Sequence, residues 1–174
     1  MDRNPVAPTP SEPSREQADI LESLRAHRAL LLTTVRGLDD EQAAATPTVS
    51  SLCLGGLVKH VTLMERQWAD FAVVGPDAFA GGDPQAWDDA FRMLPGQTLE
   101  GLVAAYRSVA EHTDGLVTAL DLDAAHPLPA APWFEPGATR SVRRVFLHLV
   151  AETAQHAGHA DIIRETIDGQ RTMG

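Results

Sequence analysis

Hydrophobic residues recur at three- and four-residue spacing in four stretches of the chain, which is the pattern of amphipathic helices. The first helix is predicted from Arg15 to a stop at Gly37, and the acidic residues 39–41 are predicted to lie in the turn that follows. The second starts near Ser50 or Ser51, either of which can cap a helix, and ends before residues 75–76. Thr98 is predicted to cap a third helix. A fourth helix is predicted to start at Thr139 or Ser141 and to run to about Ile167.

The segments between these helices are rich in glycine, proline and aspartate. Residues 75–97 and 121–140 read as long loops, with a short helical turn around 85–93, and no stretch makes a convincing strand. The second connection is long enough to cross the end of the bundle. The pattern therefore predicts an all-α protein, a four-helix bundle with long loops after helices 2 and 3. It spans residues 15–170, between a flexible tail at 1–14 and a short tail at 171–174.

Composition and net charge indicate what kind of protein this is and which partners it is unsuited to bind. A chain of 174 residues with 44% hydrophobic residues suits one globular domain, and its net charge of −10 argues against nucleic acid and anionic membrane surfaces as partners. We expect no membrane span, because no apolar run approaches 18 residues, and no secretory signal at the proline-rich start. The single cysteine, Cys53, excludes an internal disulfide and favours the cytoplasm.

The fourth predicted helix carries four ligand-type side chains on one narrow face. At 100° per residue, His148, His156 and His159 lie within about 40° of Glu152. That face abuts the apolar stripe of the same helix, where polar side chains are costly without partners. A divalent cation is one way to satisfy them.

The second predicted helix supplies a further ligand from its inward face. His60 lies among apolar residues there, so that His60, Glu152 and one more histidine would make a site of two nitrogens and one carboxylate. Spacing alone leaves His148, His156 and His159 in competition for the third position. A three-ligand site keeps coordination positions open, as catalytic metal sites do.

Two runs carry a family resemblance. Residues 51–60 (SLCLGGLVKH) and 152–165 (ETAQHAGHADIIRE) resemble the DinB/YfiT-like superfamily, most closely its DUF664 branch. The resemblance covers about residues 16–170 and implies a four-helix bundle with a divalent metal, usually zinc or nickel, on three residues. Many members use three histidines, whereas the set here, His60, Glu152 and His156, resembles the metal-binding domain of mycothiol-dependent maleylpyruvate isomerase.

The resemblance further implies chemistry on a thiol. Related proteins are thiol-dependent S-transferases and isomerases, so we expect a metal that activates a mycothiol-type thiolate for attack on a small electrophile. Homodimers are also common in the superfamily. His159 and His148 are the candidate catalytic residues. Arg164 is a candidate ligand for an anionic group, with a salt bridge to Asp161 or Asp168 as the alternative.

Two other functions fit the same residues. The open site could activate water for hydrolysis, with His159 or His148 as the base. Alternatively, the ion could only hold helices together in a non-catalytic stress or interaction protein. Outside this constellation, Trp68, Tyr106 and Met64 are predicted core residues, Cys53 a small buried one, and residues 133–134 either a lid or a cover for the bundle end.

Overall fold

The structure, a computed structural model, describes residues 12–81 and 89–172 and confirms the all-α bundle. Its helices are α1 (Arg15–Thr34), α2 (Asp40–Ala44), α3 (Leu54–Val74), α4 (Leu99–Ala119) and α5 (Val142–Asp168). A 3₁₀ helix follows α3 at Gly75–Phe79, and two strands, β1 (Ala125–Pro127) and β2 (Thr139–Ser141), precede α5. Within these residues, no helix has both the length and the apolar character needed to cross a bilayer. Residues 1–11 of the predicted tail and residues 85–88 of the predicted turn at 85–93 lie outside the described residues.

The four long helices follow the predicted periodicity, but three local predictions were wrong. Cys53, not a serine, caps α3, because its Sγ accepts the Gly56 N–H at 3.3 Å while Ser50 caps the preceding turn. The acidic stretch after Gly37 forms α2 instead of a turn, with Asp39 and Gln42 in a capping box.

The third correction concerns the loop before α5, where the sequence indicated no strand. Residues 125–127 pair antiparallel with 139–141, and His126 lies opposite Arg140. Strands of three residues are too short to show a period of two in the sequence. This hairpin packs on the end of α3, where His126 Nε2 lies 3.2 Å from the Ala72 carbonyl oxygen. Gly75 has a φ of +68°, and a Cβ there would come within 3.0 Å of the His126 ring.

Helix directions follow from contacts at the two ends of the bundle. Arg143 pairs with Glu16 near the start of α5 and α1, and Arg164 donates to the Thr34 carbonyl near their ends, so α1 and α5 run parallel. α4 runs opposite to α1, since Gln17 donates to the Val117 carbonyl. α3 packs between α4 and α5 and runs opposite to α5.

α3 and α4 are consequently parallel neighbours, and the chain between them must return along the bundle. A helix of 21 residues is about 31 Å long, which explains the length of this connection. Its last part lies directly on the first turn of α3: a Cβ on Gly56 would be 1.9 Å from the Phe91 carbonyl oxygen, and one on Gly55 2.2 Å from the Met93 sulfur. Lys59 Nζ holds the same segment by donating to the Asp89 carbonyl at 2.9 Å.

The core contains a buried ion-pair network that joins three helices. Arg28 of α1 donates to Glu65 of α3 at 2.5 and 3.3 Å and to Asp114 of α4 at 2.6 Å. Glu65 is fully buried and Arg28 nearly so. Met64, Trp68 and Tyr106, which were predicted to be core residues, are also buried.

Truncating Glu65 should destabilise the protein strongly. In the Glu65→Ala variant the Arg28 guanidinium stays buried without its main partner, which costs about 3–5 kcal/mol. Asp19→Ala is the control, because Asp19 forms an exposed i, i+4 pair with Arg15 that is worth less than about 1 kcal/mol. Urea denaturation measures both values, and equal losses in the two variants would contradict the assigned role of the network.

Replacing Gly56 tests the close approach of the connection. The Gly56→Ala methyl would overlap the Phe91 carbonyl, so we expect a loss of roughly 2 kcal/mol or more. Gly115→Ala in α4 meets nothing within 4 Å and should stabilise the protein by up to about 1 kcal/mol. Thermal unfolding of both variants checks the sign. A stabilised Gly56→Ala protein would mean that the segment around Phe91 does not lie on α3.

Candidate metal centre

Three side chains from two antiparallel helices converge near the start of α3. His60 of α3 and Glu152 and His156 of α5 each offer a ligand atom, and these atoms lie within 4.8 Å of one another. His156 Nε2 is 3.6 Å from a carboxylate oxygen of Glu152. The i, i+4 spacing on α5 places that pair one turn apart, while His60 arrives from the facing helix. Tertiary packing thus brings together the set that the family resemblance implied.

Burial keeps both histidines in the form that binds metals. His60 and His156 are each only 7% exposed. Burial, with a smaller contribution from His156, lowers the pKa of His60 to about 4. Burial and the nearby His159 also lower the pKa of His156. Both rings are therefore neutral at pH 7, with a nitrogen lone pair available for a cation.

The connection between α3 and α4 forms one wall of the centre. The Phe91 ring stacks on His60 with a centroid distance of 3.9 Å, and the rings of His60 and His156 meet edge to face at 4.7 Å. Phe91 reaches this position because Gly55 and Gly56 let its backbone approach α3. The sequence did not identify Phe91 as a site residue, and no local pattern signals this contact.

His159 and His148 flank the ligand set on opposite sides along α5. His159 Nδ1 lies 3.5 Å from His156 Nδ1, which leaves the Nε2 of His156 on the Glu152 side. A histidine ligand generally donates its second N–H to an outer acceptor, and His159 is placed for this. His148 Nε2 is 3.8 Å from Glu152, and its ring packs edge to face on Trp68 at 4.9 Å. Burial lowers the pKa of His148, while Glu152 acts in the opposite direction.

The side chain of Arg164, a residue of α5, lies beside the C-terminal end of α1 and binds carbonyl groups there. It donates to the carbonyls of Thr34 and Arg36, both at 2.9 Å, and pairs with Asp168 at 2.8 Å. Gln170 accepts a further bond. Asp168 was one of the alternative partners that the sequence indicated. None of the described contacts of Arg164 is with the three clustered residues, and its role as an anion ligand stays a prediction.

The residues present fit a divalent cation. Two neutral imidazoles and one carboxylate are a donor set that zinc, nickel, iron and manganese accept, and they leave positions for an exogenous ligand. Two atoms bound to one zinc ion at about 2.1 Å are at most about 4.2 Å apart, so binding requires the donors to draw together slightly. Among the described residues, this is the one group of at least three histidine, cysteine or acidic side chains with such spacing.

Comparison with known proteins identifies the family. A sequence profile described as mycothiol S-transferase matches residues 19–169, which is most of the chain and includes all three clustered residues. The chain belongs to the mycothiol S-transferase family. No curated protein matches it significantly.

One solved structure supports the architecture. A conserved protein from Enterococcus faecalis is similar to this chain with a TM-score of 0.65, although only 12% of residues are identical. The alignment covers 88% of this family member and 98% of the E. faecalis chain. At this identity the likeness concerns the fold alone, and it confirms the bundle.

Metal content should depend on the clustered histidines. We expect about one equivalent of zinc per chain after incubation and dialysis, and a loss of at least tenfold in affinity for His60→Ala and for His156→Ala. His112→Ala is the control, because His112 is exposed on α4 and distant in sequence from the cluster. Elemental analysis gives the stoichiometry, and circular dichroism verifies that the variants remain folded. Zinc retained in a folded His60→Ala/His156→Ala double variant would place the metal elsewhere.

Proposed function

We propose that this protein is a metal-dependent S-transferase that joins mycothiol to a small electrophile. The observation that carries the proposal is the convergence of His60, Glu152 and His156 from two helices in a chain of the mycothiol S-transferase family. We further propose zinc as the resident ion, with nickel as the alternative. Assignment to the DUF664 branch, a homodimeric state and a cytoplasmic location remain expectations.

The protein residues would hold the ion and adjust its charge. His60 and His156 would bind through neutral nitrogens, and Glu152 would reduce the net charge of a divalent centre to about +1. A bound divalent cation supplies the charge that keeps a coordinated thiol deprotonated near neutral pH, and the thiolate is the nucleophile. The stacked rings of Phe91 and His60 would keep water away from one side of this position. Electrostatic interactions are stronger where the effective dielectric constant is low.

The transfer requires one proton acceptor and one new bond. The thiol gives its proton to a base, and the sulfur lone pair forms a bond to the electrophilic carbon. With an activated alkene, the displaced electron pair takes a proton at the neighbouring carbon, so the elements of the thiol add across the double bond. We propose His159 or His148 as the base, because both are half-buried and adjoin the ligand set.

Activity should require both the metal and the clustered residues. We expect zinc-loaded protein to accelerate the reaction of mycothiol with 1-chloro-2,4-dinitrobenzene, which forms an S–C bond and releases chloride. Glu152→Gln should lower kcat/KM by at least about tenfold, because losing a ligand should cost no less than losing one of the outer partners that orient the ligands. His112→Ala should leave it unchanged. Chelation should abolish the activity, and added zinc should restore it.

A second readout separates transfer from the other functions. Mycothiol added to cobalt-substituted protein should change the visible spectrum if sulfur coordinates the ion. Full activity in metal-free protein would refute the proposed mechanism. If no thiol changes the cobalt spectrum, and the protein unfolds when the ion is removed, the metal is structural. Ester hydrolysis that needs no thiol would favour the hydrolase.

A further inference from the structure

A second unusual group is Arg140, which contacts Trp68, the neighbour of His148. It belongs to β2, and its guanidinium carbon lies 4.4 Å from the centroid of Trp68 and 5.7 Å from that of Phe134. Its Nη1 is completely buried, yet has no hydrogen-bond partner among the described residues. The hairpin register, with Arg140 opposite His126, holds it at this place.

Arg140 itself is half-buried, whereas the two fully buried arginines, Arg28 and Arg164, have partners for their guanidinium groups. Arg28 pairs with Glu65 and Asp114, and Arg164 binds two carbonyls and a carboxylate. Guanidinium groups stay charged at all ordinary pH values and present a planar fork of donors. A buried donor without a partner is costly, so Arg140 is poised for an acceptor supplied from outside the chain.

A continuous series of side-chain contacts links Arg140 to the metal centre. Trp68 contacts both the Arg140 guanidinium and the His148 ring, and His148 Nε2 is 3.8 Å from the carboxylate of Glu152. His148 and His156 are eight residues apart on α5, which is about 12 Å along the helix axis. This series of contacts therefore has the candidate cation site at one end and the Arg140 guanidinium at the other.

We infer that Arg140 binds a carboxylate group of the electrophilic substrate, so that the preferred electrophiles are small planar organic acids. The inference rests on the proposed transferase function. The thiol would already be anchored through its sulfur, whereas the electrophile has no anchor at the three clustered residues and needs one elsewhere. The half-buried ring of Phe134 suits a flat body, and Arg140 suits a bidentate carboxylate. Arg144, exposed in the first turn of α5, adds positive charge to the same end.

The first test measures binding and needs no turnover. Benzoate and neutral benzamide are titrated into zinc-loaded protein, and the tryptophan indole ¹⁵N–¹H signals are followed by NMR. We expect benzoate to bind at least tenfold more tightly than benzamide. Arg140→Gln should lower the benzoate affinity at least tenfold and leave benzamide unchanged, while Arg140→Lys, which keeps the charge but loses the fork, should fall between.

Arg66→Gln is the matched control, because it removes one exposed positive charge from the helix that carries Trp68. Unchanged benzoate affinity in Arg66→Gln supports a specific site. Equal losses in both variants, or wild-type affinity in Arg140→Gln, would overturn the inference. Circular dichroism and thermal unfolding verify the fold, and Arg140→Lys serves for the comparison if Arg140→Gln unfolds.

Kinetics then show which of the two substrates Arg140 binds. In the Arg140→Gln protein, KM should rise at least tenfold for an acidic electrophile such as 4-(bromomethyl)benzoate and stay constant for its methyl ester and for mycothiol. A rise confined to mycothiol would assign Arg140 to the thiol and refute the inference. If benzoate binding depends on Arg140 but no transfer occurs, the transferase proposal is wrong. If transfer occurs and Arg140→Gln does not change it, only the role given to Arg140 is wrong.

Discussion

The structure depends on the parallel packing of α3 and α4. Since these helices are neighbours that run in the same direction, the chain between them must return along the bundle, and it comes to rest on Gly55 and Gly56. The absence of two Cβ atoms lets the backbone of Phe91 meet the first turn of α3, and Lys59 secures the segment. The ring of Phe91 then covers His60, which couples the topology of the bundle directly to the candidate metal centre.

Charged groups inside the bundle divide into two kinds. The Arg28–Glu65–Asp114 network and the terminus held by Arg164 satisfy one another within the chain and join helices together. Arg140 instead keeps one buried nitrogen, Nη1, without a partner among the described residues, although burial makes this expensive. We propose that a substrate supplies the partner of Arg140, and that an ion completes the clustered residues of α3 and α5.

Periodicity made part of this site predictable. The four ligand-type residues of α5 share one face of any regular helix, so their clustering followed from the spacing, and His60 was predicted inward from its apolar neighbours. Choosing His156 over His148 or His159 was different, because all three satisfy the same angular criterion. The observed pairing depends on the level at which α3 crosses α5, where His60 meets His156 and Trp68 meets His148.

The sequence alone determined the number, type and approximate limits of the long helices, the burial of Trp68 and Tyr106, and the helix face that carries the chemistry. These properties depend on residues close together in the chain, through caps and the 3.6-residue period. Only the tertiary structure decided the direction of α4, the contact of Phe91 with His60, and the position of Arg140 over Trp68. Each of these joins residues far apart in the chain, and packing, not local preference, sets such contacts.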